Sequence, residues 1–441
     1  MARRRRAPST APVAADIDSL AHDGRGVAHV EGKAVFVDGA LPGERVRFVY
    51  IKQHRNYDEG RAVEVLAAAP ERVDPRCPHF GVCGGCTLQH MAPQAQILAK
   101  QDILLENLSR IGDVQPANVL APLTGPYWGY RHKARLGAKF VLKKGRMLVG
   151  FRERHAPYLA ELSRCEVLHP AVGERIVPLT ELLAGLSVRM RVPQVEVAVG
   201  DRTAALVFRH LDPLTADDRA ALEAFGGTHD FAIFLQPAGP DSVELLYPEA
   251  VELTYGLPAH DVTLVFEPTD FIQINPAINR QMVDRVLALL ELRPEHRVLD
   301  LFCGLGNFTL PMARRAAEVV GVEGEAGLVR RAEHNAARNG IANARFHCAD
   351  LNEDLVGSPW LERSYDRILL DPPRSGAAAM MAKLAALGAP RIVYVSCHPG
   401  SLARDAGELV HQHGYRLLSA GVMDMFPHTA HVESIALFER A

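Results

Sequence analysis

The stretch RVLDLFCGLGNF, residues 297–308, decides the fold of the second half of the chain. Its first six residues are apolar apart from Arg297 and Asp300, which is typical of a buried parallel strand. Gly304 and Gly306 follow where a helix is expected to begin. A strand, a glycine-rich turn and a helix N-terminus form the nucleotide-binding unit of open α/β sheets. The third glycine of the dinucleotide motif is absent, which favours a cofactor without pyrophosphate, such as S-adenosylmethionine.

Acidic residues end the two strands that come next along the chain. VVGV, residues 319–322, ends at Glu323, and ARFHCA, residues 344–349, ends at Asp350. A carboxylate at the first position accepts hydrogen bonds from ribose hydroxyls, and the second is expected beside the adenine edge. Each acid alone also suits a helix N-cap. Their common register with the glycine turn favours the cofactor site.

Two further strands end in reactive residues. RILL, residues 367–370, runs into Asp371-Pro-Pro-Arg374, and RIVYV, residues 391–395, runs into Ser396-Cys397-His398-Pro399. The carboxyl ends of parallel strands meet at one edge of an open sheet, where such folds bind ligands. We therefore expect Asp371 and Cys397 to face one crevice.

A cysteine and a carboxylate beside a methyl donor have a specific chemical use. Uracil C5 is a weak nucleophile until a thiolate adds to C6, after which C5 can attack the methyl group and a base must remove the C5 proton. Cys397 is the candidate nucleophile, and Glu433, in His431-Val432-Glu433, is the candidate base. The alternative for Cys397 is a buried small apolar residue. Cys303 and Cys348 are expected to be such core residues.

Charge is distributed unevenly along the chain. The total is −3, from 49 basic and 52 acidic residues, which excludes a strongly basic nucleic-acid coat protein. Yet residues 125–165 contain ten basic and two acidic residues. Arg131, Lys133 and Arg135 alternate so that a strand would place them on one face, near Tyr127, Trp128 and Tyr130. Basic and aromatic side chains together suit a nucleic-acid groove, although a solvated strand face is the alternative.

The N-terminal part predicts a small β-domain. Short apolar runs alternate with turn dipeptides between residues 12 and 70, as in a barrel of the kind that binds oligonucleotides. Residues 1–11, with Arg3 to Arg6, are expected to be a disordered basic terminus. No apolar segment follows them as in a signal peptide, and no stretch is long enough for a membrane span. We therefore expect a cytoplasmic protein with no membrane partner, whose seven cysteines form no disulfide framework.

The motifs together resemble those of the bacterial RNA uracil-C5 methyltransferases. The resemblance is to the 23S ribosomal RNA type, which carries an N-terminal TRAM domain and a [4Fe-4S] cluster. It covers nearly the whole chain after the first dozen residues, and it is carried by four motifs: DLFCGLGNF (300–308), DPPR (371–374), VSCHP (395–399) and HVE (431–433). His398 departs from the family, which often has Asn after the catalytic cysteine.

The resemblance implies roles for individual residues. It makes Cys397 the nucleophile and Glu433 the base, and it implies that Phe271, in FIQIN (271–275), stacks on the target base. The cofactor site it implies is lined by Gln273, Phe302, Asn307, Glu323, Asp350 and Asp371. Arg131, Lys133 and Arg135 remain the residues expected to bind RNA.

The resemblance also implies a metal centre. Cys77, Cys83 and Cys86, with Cys165, match the cluster pattern of the family. Four thiolates suit zinc as well as iron–sulfur, and the resemblance favours the [4Fe-4S] cluster. Its expected role is to position RNA by tying the basic segment to the cysteine-rich loop.

These expectations give a multidomain protein. They comprise an OB-like β-barrel (TRAM, 12–70), a central α+β cluster-bearing domain (71–92 and 125–265) and a C-terminal Rossmann-like α/β class I methyltransferase (93–124 and 266–441). The expected substrate is a uridine of 23S rRNA, bound by a monomer. The alternatives are a tRNA uracil-C5 methyltransferase and a non-catalytic, metal-bound RNA-binding protein.

Overall fold

The fold is taken from a computed structural model that describes residues 11–353, 355 and 357–440. The expected basic terminus with Arg3 to Arg6 lies outside the described residues. Among the described helices, none combines the length and apolar character that crossing a bilayer requires.

The N-terminal unit is a coiled sheet with the strand order β1-β5-β6-β4-β3-β2. All neighbouring strands are antiparallel except β4 and β6. Alternate side chains point to a small core around Val35, Val46 and Phe48. The strands are β1 (Val13–Asp16), β2 (Ser19–Leu20), β3 (Gly26–Val30), β4 (Lys33–Asp38), β5 (Arg45–Gln53) and β6 (Tyr57–Ala67).

Helix α1 (Pro93–Gly112) follows the cysteine-rich loop and begins at a proline, whose missing N–H costs nothing at the first helical position. It ends where Asp113 adopts a left-handed conformation, with φ of 50°. Strand β7 (Asn118–Val119) comes next.

The central unit is a sheet with the order β13-β12-β11-β10-β8-β9. Helices cover one face and bury an apolar core that includes Leu136, Leu183 and Ile233. Its elements are β8 (Lys133–Val141), β9 (Arg146–Gly150), α2 (Pro170–Gly173), α3 (Ile176–Gly185), β10 (Gln194–Val199), β11 (Ala204–Arg209), α4 (Ala216–His229), β12 (Phe231–Gln236) and β13 (Glu244–Tyr247).

The C-terminal unit contains a sheet with the order β18-β17-β16-β19-β20-β22-β21-β7. Five neighbouring strands run parallel in the order β18, β17, β16, β19 and β20. Strand β22 lies between β20 and β21 and is antiparallel to both. The strands are β16 (Arg297–Leu301), β17 (Glu318–Glu323), β18 (Ala344–Cys348), β19 (Arg367–Leu370), β20 (Arg391–Ser396), β21 (Tyr415–Met423) and β22 (Glu433–Arg440). The helices are α5 (Pro276–Leu290), α6 (Thr309–Ala313), α7 (Ala326–Arg338), α8 (Ala378–Leu387) and α9 (Pro399–His413). This is the α/β architecture expected from residues 297–308.

A hairpin of β14 (Leu253–Leu257) and β15 (Val262–Phe266) joins the central and C-terminal units. The backbone N–H of Val265 donates to Asn335 Oδ1 at 2.8 Å, which ties β15 to α7 of the C-terminal unit. The domain boundary expected at 265 falls within β15, and the division into domains stays a prediction. The apolar pattern of the hairpin does not reveal which unit it packs against.

Candidate active site

The glycine-rich turn after β16 adopts left-handed backbone conformations. The φ angles are 64° at Phe302, 53° at Gly304 and 91° at Gly306. Glycine adopts such angles without strain, whereas Phe302 does so only because its surroundings hold it. Its side chain packs against the apolar core on one side of the sheet. The turn is therefore a fixed cradle beneath the crevice.

Glu323 is positioned by the same turn. It ends β17, and its Oε2 accepts a hydrogen bond from the Gly304 N–H at 3.1 Å. Its Oε1 accepts from the Glu325 N–H at 3.1 Å. The carboxylate is thereby oriented at the carboxyl end of the sheet, where the remaining lone pairs suit the ribose hydroxyls expected there.

Asn307 is held from the opposite side. Its side-chain oxygen accepts from the Tyr255 hydroxyl at 3.2 Å and from Asn279 Nδ2 at 2.9 Å. Its Nδ2 donates back to Asn279 Oδ1 at 2.9 Å. The end of the cofactor turn is thus linked to the hairpin and to α5.

Asp350 lies exposed beyond the end of β18. Its Oδ1 accepts from the backbone N–H and the side-chain amide of Asn352 at 2.9 and 3.0 Å. This is the local turn in which an Asp side chain accepts a hydrogen bond from the backbone N–H two residues later. Its contact with adenine stays a prediction.

Asp371 and Gln273 meet at the crevice. Gln273 Nε2 donates to Asp371 Oδ2 at 3.5 Å, and the Asp371 N–H donates to the Leu301 carbonyl at 3.3 Å. Burial raises the pKa of Asp371 to about 7. Of the expected cofactor residues, these two and Phe302 therefore come together at the ends of β16 and β19.

Cys397 and Glu433 are brought together by an antiparallel pairing. Ser396 at the end of β20 is the Cα partner of Ser434 in β22, so the residues beside them, Cys397 and Glu433, face each other across the strand ends. Cys397 is half-buried, whereas Glu433 is 4% exposed. The separation of 36 positions in sequence is closed by the sheet alone.

The electrostatics of this pair follow from burial. Burial raises the pKa of the Cys397 thiol to about 11, and the Glu433 and Asp371 carboxylates add to the increase. Burial likewise raises the pKa of Glu433 to about 8, with a further contribution from Asp371. Arg374 opposes both increases. Cys397 is therefore a thiol at neutral pH, next to two carboxyls that can hold or release a proton there.

The basic residues expected to bind RNA do not share one environment. Lys133 is largely buried, where it donates to the Pro268 carbonyl and lies 3.8 Å from Glu196. Burial lowers its pKa to about 8. Arg135 is exposed but bonds to the same Glu196 at 2.7 Å. Only Arg131, which precedes β8, turns toward a groove. RNA contacts for all three stay predictions.

The groove beside Arg131 leads toward the start of β22. Its volume is about 500 Å³, and it lies between the cysteine-rich loop, the end of β9 and the residues just before Glu433. The lining residues are Gly84, Gly85, Thr87, Arg131, Phe151, Arg152, Glu153, Arg154, Thr429 and His431. The Arg131 guanidinium lies 5.6 Å from the centre of the Phe151 ring. The groove thus combines positive charge with an aromatic face.

The aromatic residues before β8 serve a different purpose from the one expected. Tyr130 is 3% exposed, and its hydroxyl donates to the Pro427 carbonyl at 2.9 Å. Trp128 stacks on His428 at 4.0 Å between ring centres. These two rings contact the loop before Glu433, and base stacking by Trp128 stays a prediction.

Phe271 is 70% exposed, which is unusual for a large apolar side chain. It precedes Gln273 at the crevice. An exposed ring in this place is suited to stacking on a base, and that role stays a prediction.

The four cysteines expected to bind a cluster line one cavity. Cys77, Cys83, Cys86 and Cys165 are all free thiols, surrounded by apolar side chains such as Phe80 and Leu162. The Gly85 N–H donates to Cys83 Sγ at 3.4 Å. Within residues 11–353, 355 and 357–440, no three His, Cys, Asp or Glu side chains already form a group that could hold a metal ion. The set of four thiols fits a cluster chemically, and the metal centre stays a proposal.

The other two cysteines differ from each other. Cys303 is 4% exposed and packs beneath Gly321, as expected of a core residue. Cys348 is exposed at the end of β18, so its assignment to the core was wrong. Strand β18 lies at the edge of the sheet. An edge strand leaves more of its side chains exposed to solvent than a central strand does, and the apolar pattern of β18 predicts a central strand.

Three charged or polar residues near the catalytic pair were not singled out from the sequence. Arg374 donates to His431 Nδ1 at 3.2 Å, and both belong to motifs that had been recognised. Lys100 contributes to the surroundings of Glu433 from α1. The sequence did carry a signal for Lys100: it is a charged residue on the apolar stripe of α1, between Ile97 and Leu104, which indicates a buried charge.

Two family models match the chain. The model described as tRNA (Uracil-5-)-methyltransferase matches residues 251–441, and the TRAM domain model matches residues 13–63. These matches cover the C-terminal sheet except β7, the hairpin of β14 and β15, and most of the N-terminal sheet.

Curated relatives match the chain from end to end. The Alkalilimnicola ehrlichii protein named 23S rRNA (uracil(1939)-C(5))-methyltransferase RlmD is 58% identical, covering 100% of this chain and 99% of the relative. Proteins of the same name from Methylococcus capsulatus and Xanthomonas euvesicatoria pv. vesicatoria are 57% and 54% identical, covering 99% and 100% of this chain, and 99% and 100% of the relatives. The chain belongs to the RlmD family of uracil-C5 methyltransferases. The activity expected from the sequence, S-adenosylmethionine-dependent RNA uracil-C5 methylation, is confirmed.

A solved structure shares the fold. The Pyrococcus abyssi tRNA (uracil-54, C5)-methyltransferase in complex with S-adenosyl-L-homocysteine superposes with a TM-score of 0.74 at 24% identity. The match covers 97% of this chain and 100% of the archaeal one. The chain therefore shares the fold of that structure over nearly its whole length. The expectation of a TRAM domain joined to a class I methyltransferase is confirmed.

Proposed function

We propose that this enzyme transfers a methyl group from S-adenosylmethionine to C5 of one uridine in 23S rRNA through a covalent adduct with Cys397. The observation that carries the proposal is the pairing of β20 with β22, which sets Cys397 opposite Glu433 at the end of the cofactor sheet. The names of relatives that are 54–58% identical support 23S rRNA as the substrate. Those names favour rRNA over the tRNA alternative.

The chemistry requires a thiolate at Cys397. Sulfur adds to uracil C6 as its proton passes to a neighbouring carboxylate, and the electron pair moves to C5 and its conjugated carbonyl. Asp371 and Glu433 are the carboxylates whose charges act on the thiol. Because the pKa of Asp371 is about 7, an appreciable fraction is ionised and able to accept that proton near neutral pH.

Glu433 is assigned to the last step. The bound S-adenosylmethionine supplies the methyl group that C5 takes up. Glu433 then accepts the C5 proton, and the electron pair of the C–H bond re-forms the C5–C6 double bond as sulfur leaves. The burial of Glu433 raises its basicity, since the pKa is about 8.

The cofactor site combines the residues that the sequence predicts. Glu323 would hold the ribose, while Phe302 and Asn307 shape the turn beneath it. Gln273 and Asp371 would contact the cofactor close to Cys397. Asp350 would lie at the adenine end.

RNA would enter along the groove that Arg131 lines. Arg152 and Arg154 share its wall, and His431 at its inner end lies two residues from Glu433. The target uridine must leave its stack to reach Cys397, and the exposed Phe271 ring would take up the stacking. The four thiols around the cavity beside this groove would hold the [4Fe-4S] cluster in a structural role.

A 5-fluorouridine substrate tests the covalent step. Fluorine at C5 cannot leave as a proton, so a 23S rRNA fragment containing it should form a complex with the protein that survives denaturing electrophoresis. Cys397→Ala should form none. Cys348→Ala is the matched control, because Cys348 is an exposed thiol on the edge strand β18, and three strands separate it from β20, which runs into Cys397. An adduct that persists in Cys397→Ala would refute the assignment of the nucleophile.

The substrate is tested in cells. Ribosomal RNA from a strain that lacks the gene should lose one 5-methyluridine, and the enzyme should restore it. Loss of 5-methyluridine from tRNA alone would favour the alternative instead.

A further inference from the structure

We propose that Lys100 is a positioning residue for catalysis: with Asp424, it fixes the end of β21 beside Glu433 and places a positive charge close to that base. The inference rests on the proposed role of Glu433. It assigns a catalytic function to α1, which lies outside the region matched by the methyltransferase family model.

The pair is fully enclosed. Lys100 is 1% exposed and Asp424 is 0% exposed, and Lys100 Nζ lies 2.7 Å from Asp424 Oδ1. The ammonium also donates to the Phe426 carbonyl at 3.0 Å. One lysine on α1 therefore holds two successive points of the loop that leads from β21 to β22.

The loop is held next to Glu433 by strand register. Met423, the last residue of β21, is the Cα partner of Glu433, the first residue of β22. Asp424 follows Met423 directly. Any displacement of Asp424 would therefore move the strand end that packs against the catalytic carboxyl.

A buried ion pair is a weak explanation for stability. Removing two charges from water costs free energy that their attraction only partly returns, and apolar residues of similar size often do as well. Lys100 lies on the same helix face as Ile97 and Leu104, which belong to an apolar core. A charge in this position suggests a use other than packing.

Glu433 is faced by charges from several elements. Asp371 and Arg374 come from the loop after β19, Cys397 follows β20, and Lys100 comes from α1. Asp371 disfavours the ionised form of Glu433, whereas the two cations favour it. Lys100 is the buried one of the two cations, and it is therefore the less screened by solvent.

Gln96, one turn earlier on α1, offers a matched neutral control. It is 0% exposed, and its Oε1 accepts from the His428 N–H at 2.8 Å while its Nε2 donates to the Met91 carbonyl at 2.7 Å. Gln96 thus holds the same loop without carrying charge. Replacing it loosens the loop and leaves the field at Glu433 unchanged.

The experiment compares pH profiles of tritium release from 23S rRNA labelled at uridine C5, with S-adenosylmethionine present. Glu433 must be ionised to accept the C5 proton, so release rises with pH through the pKa of Glu433. Lys100→Met removes a charge that favours ionisation and should shift the rising limb to higher pH by roughly one unit. The covalent adduct should accumulate at pH 7 and decline at higher pH. Gln96→Met should lower the rate without shifting the limb.

A double variant guards against unfolding. Lys100→Met/Asp424→Leu leaves no unpaired charge in the core, and it should fold. It should still show an alkaline shift, smaller than that of Lys100→Met because the Asp424 carboxylate is removed together with the Lys100 ammonium. If both variants fail to fold while Gln96→Met does fold, the pair is a structural element and the proposal is overturned. If the variants fold and the rising limb of their pH profile is not shifted from that of the wild type, the proposal is also overturned.

Glu433→Gln, measured alongside, separates this inference from the function on which it rests. If Glu433→Gln turns over like the wild-type enzyme, the role of Glu433 as base fails. If it stalls as the adduct while Lys100→Met retains the wild-type profile, only the role of Lys100 fails.

Discussion

The crossing of α1 and α9 gives a prediction that can be worked out from backbone geometry. Both helices have a glycine at the contact, Gly112 and Gly407, and His411 of α9 bonds to the Gly112 carbonyl at 3.0 Å. A Cβ added at Gly407 would lie 2.7 Å from that carbonyl oxygen and 3.1 Å from the Gly112 Cα. The obstructing atoms belong to the backbone, so no side chain can rotate away. We therefore choose Gly407→Ala as the perturbation.

The expected cost follows from the required movement. Restoring an ordinary contact of 3.4 Å requires the helices to separate by about 0.7 Å. Overpacking of this kind typically costs about 1–3 kcal/mol, and alanine regains about 0.5–1 kcal/mol over glycine within a helix. The midpoints of these ranges give a net loss of about 1 kcal/mol, or a decrease of roughly 2–4 °C in the Tm of the C-terminal unit. Gly112→Ala should behave in the same way, since its Cβ would meet the Ala403 carbonyl.

The assay is differential scanning calorimetry of the full chain. The quantity measured is the Tm of the lowest transition that includes unfolding of the C-terminal unit. Gly185→Ala is the control, because this helical glycine has open space around its Cβ position. That variant should match or exceed the wild-type Tm. A Gly407→Ala protein as stable as the wild type would refute the backbone-contact argument. Because α1 carries Lys100, Gly407→Ala should also lower methyl transfer.

Two further predictions concern the catalytic base and the metal centre. Glu433→Gln should accumulate the covalent adduct on unmodified RNA. In the wild-type enzyme, the rate of C5 proton release should rise roughly tenfold between pH 7 and pH 9. The reason is that Glu433, with a pKa of about 8, is about one-tenth ionised at pH 7. A wild-type profile that is flat over this range, measured by tritium release, would contradict the role of Glu433. Purified without oxygen, the protein should be brown and contain about four iron atoms per chain, and Cys86→Ser should lose the colour while Cys348→Ser keeps it. A colourless protein containing zinc by metal analysis would contradict the cluster.

Several features of the fold could be read directly from the chain. The strand predicted over residues 297–302 is observed as β16 (Arg297–Leu301). Apolar periodicity is a local property, and the backbone follows it wherever the pattern is strong. The glycine turn after residue 302 was also legible, since left-handed angles favour Gly304 and Gly306.

Other features depended on partners that are distant in sequence. Lys133 alternates with Arg131 and Arg135, but Glu196 on the neighbouring strand draws it into a buried pair. Trp128 was expected to face RNA, and it stacks on His428 about 300 positions later. No local pattern encodes which side chain will lie opposite on another strand.

The sequence by itself predicted the strand and glycine turn of residues 297–308 and singled out Cys397 and Glu433 as candidate reactive groups, because these depend on residue type and short-range spacing. Only the tertiary structure decided how those groups act. The pairing of β20 with β22 sets Cys397 against Glu433, and α1 brings Lys100 to the same carboxyl from more than 300 residues away. Protonation is governed by burial and by neighbouring charges. Both arise only when the sheet closes around the crevice.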